Sequence, residues 1–217
     1  ILALNTVLVV AEGINADLGS GNNQILIMRT ALDSIEVFAG SGNQVASGDG
    51  GDALNAGLTV EGLGLSPSGD VIYFSDPQNH RVRSLTTDTN EDGDDFTRID
   101  HVAGNGFTTI EGFGTFSGDG GPATEAGLDL PWGVTVGFDD RIYIMDLANN
   151  RIRSVESDQT IVTVAGQEVG GFAGDGGLAI NARLDQPIRG AIDPDGNLVF
   201  IDLGNNLIRK IFRPEKV

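Results

Sequence analysis

The sequence holds no cysteine, two lysines, one tryptophan, two methionines and two histidines. Without cysteine there is no disulfide framework, no thiolate metal site and no catalytic thiol, and the redox compartment stays open. Lys210 and Lys216 are the only lysines, and 31 acids against 13 bases give a net charge of −18. Nucleic-acid and anionic-membrane binders draw affinity from clustered Lys and Arg, so this composition excludes both as partners. No apolar run is long enough to cross a bilayer, and no membrane insertion is expected. Ile1 to Ala11 has the apolar content of a signal peptide but no basic region before it, and it reads as strand. A chain opening on Ile1 is expected to be a mature product or an excised fragment. What is abundant is apolar residues, at 40%, and glycine, with 32 copies: enough for a real core, broken by many turns.

The chain repeats itself. Val71 to Arg83 (VIYFSDPQNHRVR) matches Arg141 to Arg153 (RIYIMDLANNRIR) and Leu198 to Arg209 (LVFIDLGNNLIR), with a weaker copy from Val7 to Leu26. Phe38-Ala39-Gly40, Val102-Ala103-Gly104 and Val164-Ala165-Gly166 follow at corresponding places, each leading to Gly-Asp-Gly-Gly at 48–51, 118–121 and 174–177. Short Val- and Ile-rich runs bounded by Gly, Asn, Asp and Pro are strands. In the third unit the pattern predicts strand a at Gly133–Phe138, b at Ile142–Asp146, c at Arg151–Val155 and d at Thr160–Ala165. Alanines three apart with a leucine two further on (Ala53, Ala56, Leu58; Ala123, Ala126, Leu128; Ala179, Ala182, Leu184) predict one helical turn that packs downward. A four-stranded meander cannot bury both faces alone, so neighbouring units must stack, and radial stacking makes a β-propeller.

With Asp76 followed by Asn79-His80-Arg81-Val82-Arg83, and Asn replacing His after Asp146 and Asp202, the chain resembles the NHL repeat family; Gly118 to Ala123 is similar to the extended Gly-Asp-Gly-Gly blades of that family. The resemblance implies an all-β fold, a β-propeller of NHL-type four-stranded blades that usually closes with six. About four blades are present here, at about 1–57, 58–128, 129–184 and 185–217. The first keeps only Ile1 to Leu4 of strand a and the last stops after strand c, so the chain is expected to be part of a larger ring, with open sheet edges that favour self-association.

Asp76, Asp146 and Asp202 end the b strands and are expected to cap turns and pair with Arg81 or Arg151. Asp49, Asp119 and Asp175 lie in the Gly-Asp-Gly-Gly loops; with no Lys-Ser or Lys-Thr after them these loops are not phosphate cradles, and the acids are expected to form a rim that meets a partner. Trp132 would stack a sugar or a side chain at the channel mouth, or pack. Asp88, Asn90, Asp92 and Asp94, with Asp95 as a substitute for the last, have the spacing of the first half of a calcium loop, although Ile99 stands where the bidentate Glu would fall. The competing reading is a solvated acidic hairpin tip. His80 and His101 read as structural, and the strand a residues read as a dry channel wall except for Asp193. The expected function is a non-catalytic binding scaffold presenting an acidic loop face to a protein or glycan. A lyase or lactonase-like enzyme with its metal and catalytic residues in other blades, and a structural module of a large surface protein, are the alternatives. Scarce Lys and abundant Asp suit a secreted, extracellular or periplasmic setting.

Overall fold

Alternating side chains dictate how each unit folds. In Ile72-Tyr73-Phe74, Ile72 and Phe74 are buried and Tyr73 is half-buried, and Ile142-Tyr143-Ile144 repeats the arrangement. The computed structural model of the chain describes residues 6–11, 23–29 and 34–212, and the scrap of strand a at Ile1 to Leu4 lies outside them. Four antiparallel sheets follow one another: β1 (Thr6–Ala11), β2 (Gln24–Arg29) and β3 (Ser34–Ala39); β4 (Leu63–Leu65), β5 (Ile72–Asp76), β6 (Arg81–Thr89) and β7 (Asp95–Ala103); β8 (Pro131–Val136), β9 (Ile142–Asp146), β10 (Arg151–Val155) and β11 (Ile161–Gly166); and β12 (Pro187–Ile192), β13 (Leu198–Asp202) and β14 (Leu207–Ile211). Each is a meander in chain order, and together they are blades of a β-propeller. Strands b and c of the third unit fall where the sequence pattern places them, and strand d lies one residue later, at Ile161–Gly166. Strand a begins two residues early, at Pro131, which takes Trp132 into the sheet.

The core lies between blades. Ile25, Ala39, Leu58, Phe74, Leu85 and Ile99 join the first blade to the second; Val82, Leu128, Ile144 and Ile161 join the second to the third; Met145, Ile152, Leu184, Leu198 and Phe200 join the third to the fourth. The alanine motifs form single 3-10 turns at Ala53–Asn55, Ala123–Glu125 and Ala179–Asn181, and Ala56, Ala126 and Ala182 behind them are buried in these seams.

Two backbone devices recur. Opposite Ile25/Leu26, Val82/Arg83 and Ile152/Arg153 the register slips by one residue, so Phe38, Val102 and Val164 are bulged. The glycine after each bulge has φ near +90°, and a Cβ there would lie 2.2–2.3 Å from the carbonyl oxygen of Asn23, His80 or Asn150. The Val-Ala-Gly ending is thus a bulge followed by a close approach that only glycine allows.

Inner strands β4, β8 and β12 approach so closely that a Cβ on Gly133 would sit 2.1 Å from the Ile188 carbonyl oxygen, and one on Gly62 2.9 Å from Gly133 Cα. Gly51, by contrast, has nothing closer than 3.4 Å to its Cβ position. Gly133→Ala is expected to lower stability by about 1–3 kcal/mol by forcing backbones apart, whereas Gly51→Ala should change it by less than about 0.5 kcal/mol. Urea unfolding followed by circular dichroism reads the difference.

Candidate functional site

Each blade after the first carries the same polar assembly beneath its loop face. In the second blade Arg83, fully buried on β6, donates from Nε to Asp49 Oδ1 at 2.8 Å, from Nη1 to Gly57 O at 2.7 Å and from Nη2 to Ser47 O at 2.7 Å. Its Nη1 also lies 3.5 Å from Asp76 Oδ2. Asp76 Oδ1 in turn accepts from Thr59 N–H at 2.8 Å, Thr59 Oγ1 at 2.6 Å and Asn79 Nδ2 at 2.7 Å. The third blade repeats this with Arg153 on Asp119, Gly127 O and Ser117 O, and with Asp146 accepting from Asp129 N–H and Asn149. The fourth does so with Arg209 on Asp175, Arg183 O and Ala173 O, and with Asp202 accepting from Asp185 N–H and Asn205.

This arrangement corrects one expectation. Asp76 and Asp146 pair with the second arginine of the repeat, Arg83 and Arg153, not with Arg81 or Arg151: both arginines share a strand face, and it is the second whose guanidinium is fully buried under the loop entering its own blade, while the first stays half-buried. Asp49, Asp119 and Asp175 each pair with a buried guanidinium group at 2.5–2.7 Å, which offsets their charge, while their side chains stay 34%, 39% and 61% exposed. Phe116 covers Arg151 and Arg153 with ring-centroid distances of 3.7 and 4.8 Å, and Phe172 covers Arg209 at 5.3 Å.

The turn position held by His or Asn joins one blade to the next. His80 and Asn150 have left-handed backbones, φ 51° and 53°, and close 3-10 turns at Pro77–Asn79 and Leu147–Asn149. His80 Nδ1 accepts from Leu130 N–H at 3.2 Å and Asn150 Oδ1 accepts from Gln186 N–H at 3.0 Å, where the chain enters β8 and β12. Burial lowers the His80 pKa, against the pull of Asp129 3.4 Å away, so the ring is held neutral with Nδ1 as acceptor. His and Asn interchange because each presents one acceptor to the next blade. His101 Nε2 meets Gly104 O at 2.5 Å, inside the bulge.

The calcium-like spacing lies at a hairpin tip. β6 runs through Thr89 and β7 starts at Asp95, so the connection is only Asn90–Asp94. Asp88 Oδ2 takes Arg98 at 3.1 Å and Asn90 Oδ1 accepts from Asp92 N–H and Asp94 N–H, while Asp92 and Asp94 are exposed. Among the described residues no group of three acidic or His side chains converges as a metal site. Trp132 is half-buried on β8, with its carbonyl accepting from Ser75 Oγ at 2.9 Å. Asp193 lies in a turn on Asn197 and Lys210, which hold its carboxyl well below the usual range. The axis is less dry than the strand a sequence suggests: a cavity of about 300 Å³ is lined by Glu61, Gly62, Leu63, Gly133, Val134, Arg189 and Gly190. Glu61 was overlooked because it precedes β4 in a stretch without strand alternation. Arg189 stands alone in its unit with no repeat to mark it.

Four sheets in this order, with the Asp-Arg-Asp assembly repeated beneath the turns, define an NHL-type β-propeller. The chain belongs to the Teneurin NHL domain family, whose model matches residues 60–171. Teneurin-1 of Mus musculus is 30% identical over 160 residues, 71% of this chain and 6% of that protein. Protein SUPPRESSOR OF QUENCHING 1, chloroplastic, of Arabidopsis thaliana is 28% identical over 184 residues, 84% of this chain and 17% of its own length. The chain therefore spans a small part of the relatives it matches. An auxiliary nutrient binding protein from Bacteroides thetaiotaomicron shares the fold, with a TM-score of 0.59 at 18% identity over 88% of this chain and 43% of that one.

Burial pushes the Asp146 carboxyl up to about 7, outweighing the hydrogen bonds from Asp129 N–H and Asn149 and the charge of Arg153. Between the ordinary value of 3.8 and about 7 the folded chain keeps a proton that the unfolded chain releases, so this group's contribution makes stability fall as pH rises through that window and stay level above it. Carbon-13 titration of Asp146 should show an inflection near neutrality, and Asp146→Asn should remove this decline from the pH profile of the urea midpoint. Arg153→Met leaves Asp146 and Asp119 without their cation and should cost about 3–5 kcal/mol; adding Asp146→Asn should restore part of that loss in a double-mutant cycle.

Proposed function

We propose that the chain is a non-catalytic recognition platform that presents apolar loop side chains to a protein partner on the face where the d-to-a loops and b-to-c turns meet. The two sets of loops touch: Asn79 holds Gln44 O and Ala46 N–H, Asn149 holds Thr115 O and Asn205 holds Gly171 O. The observation that carries the reading is the loop between β7 and the 118–121 glycines. Thr109 N–H bonds Phe113 O at 2.7 Å, Thr109 Oγ1 accepts from Phe113 N–H at 3.2 Å and Gly112 N–H bonds Thr109 O, fixing a tight turn. That ordered turn exposes Ile110 fully and Phe107 and Phe113 by more than half, with Val45 and Val169 exposed on the neighbouring loops. Apolar side chains held out on a rigid frame are the chemistry of a protein interface. The partner face is therefore argued to be apolar and the acids beneath it part of the frame. Family membership supports a recognition role in an extracellular or periplasmic setting, and a glycan stacked on the aromatic rings is the lesser reading.

The cavity between Glu61 and Arg189 favours a second reading, a small polar ligand on the axis as in an enzyme of this architecture. Photo-crosslinking separates the two. A benzoylphenylalanine at Phe113 should capture a protein partner from extracellular material, and the same group at Phe138, exposed on the opposite a-to-b turn, should not. Capture at both positions, or capture unaffected by Phe107→Ser with Ile110→Ser, would refute the loop-face reading.

A further inference from the structure

One arginine of the loop face has no acceptor. Arg81 and Arg151 open strand c at the same place in the second and third blades, each just after the left-handed residue of the b-to-c turn. Arg151 is satisfied: its Nη1 donates to Asn149 O at 3.2 Å, and the Phe116 ring centroid lies 3.7 Å from its guanidinium carbon. Arg81 has neither contact. Its Nε is enclosed without a hydrogen-bond partner, and among the described residues its guanidinium makes no hydrogen bond, ion pair or ring contact.

A single substitution within the repeat accounts for this. Phe116 and Phe172 stand two residues before Gly118 and Gly174, whereas the residue two before Gly48 is Ala46. With a methyl group in place of a ring, the second blade has no aromatic lid for its first arginine. Gly106, at φ +67°, lies on the guanidinium from the following loop: a Cβ there would sit 2.6 Å from Arg81 Nη2. Ala46 N–H is held by Asn79 Oδ1 at 3.0 Å and Phe107 N–H by Asn105 Oδ1 at 2.9 Å, so the loop segments on both sides are tied down. Arg81 itself is half-buried.

We propose that Arg81 receives a carboxylate, the Asp or Glu side chain of a protein partner, within the apolar loop face. This site rests on the loop-face reading and supplies that face with a polar anchor. A planar guanidinium takes a carboxylate through two parallel N–H donors, and the pair gains strength where water is partly excluded. Charge selects the class of anion: one cation in a chain of net charge −18 suits a single negative charge, and a phosphate dianion would meet stronger repulsion. Exposed Val45 adjoins Ala46 and exposed Phe107 adjoins Gly106, so apolar contacts continue on both sides and the carboxylate comes from within a chain, not from its end.

NMR titration of the full chain, labelled at its arginine side chains and backbone amides, tests this with the peptide acetyl-Leu-Phe-Glu-Leu-amide and its Gln counterpart. The Glu peptide is expected to saturate one site at millimolar concentration, moving the Arg81 Nε–H resonance downfield together with the amides of Val45 and Phe107. The Gln peptide should bind at least about tenfold more weakly. Ala46→Phe, which supplies the lid present in the third blade, should remove the difference between the two peptides, as should Arg81→Met. The urea midpoint of Arg81→Met should not fall, because the guanidinium satisfies nothing within the fold and Met keeps the apolar stem. A clear fall would make Arg81 part of the frame and overturn the proposal. Equal affinity for the Glu and Gln peptides, with Val45 and Phe107 moving, would overturn the carboxylate site and leave the apolar face standing. A stronger Arg81 response to phenyl phosphate, or to acetyl-Leu-Phe with a free C-terminus, would overturn the side-chain carboxylate as the occupant. No response at Arg81 to millimolar Glu peptide would overturn the site whatever the crosslinking at Phe113 shows.

Discussion

The blades depend on one interaction: an arginine on strand c, buried at its guanidinium, that reaches across to the loop entering its own blade. Arg83, Arg153 and Arg209 each hold two loop carbonyls and a loop aspartate while an aspartate at the end of strand b lies beside them. Removing such a charge from water is costly, and the cost is met because all three nitrogens of Arg83 and Arg153, and both terminal nitrogens of Arg209, have acceptors. A lysine, with a point charge and no planar fork, would satisfy fewer of them, consistent with a chain whose strands contain arginine and almost no lysine. Burial also explains why Asp76 and Asp146, both fully enclosed, are pushed up rather than held low.

The second constraint acts along the ring. Each blade buries one face on the blade before it and one on the blade after, through Leu58, Leu128 and Leu184 and the alanine turns. The seam is tightened by backbone contacts at Gly62 and Gly133 and by the His80 and Asn150 acceptors at the entrances to β8 and β12. Where a seam has no neighbour among the described residues, its side chains lie in the open: Val82 and Ile152 are fully buried, while Ile208 at the same place in the repeat is 75% exposed. Burial here is a property of the pair of blades, not of the strand.

The strands were legible in the sequence because their signal is local. Ile142–Asp146 and Arg151–Val155 are set by alternation and by the turn residues between them, and tertiary packing only confirms that order. The alanine turns were legible for the same reason. The partner of each aspartate was not, since Arg81 and Arg83 are alike in composition and share a strand face, and the choice is made by the loop whose carbonyls enclose Arg83. The length of the acidic hairpin was not legible either, because Thr86 to Asp88 extend β6 by pairing to β7, an effect carried by the partner strand and not by local preference. The character of the loop face was hidden for a related reason: sequence shows Asp119 and Ile110 equally, but not that one is turned onto Arg153 and the other outward.

The same clamp separates the frame from the loops. Apart from two aspartates each, the arginines grip backbone carbonyls: Ser47 and Gly57, Ser117 and Gly127, Ala173 and Arg183. A carbonyl is present whatever the side chain, so the residues between the gripped points are free to differ in number and kind without disturbing the frame. The loops show this, with 41–47 and 167–173 short and 105–117 long enough to fold its own turn, while the gripped ends superpose in role. A fold held by backbone acceptors at fixed places lets the loops of one chain differ from blade to blade, and keeps the residues that recur in every blade, Asp, Arg and Gly, at the gripped points.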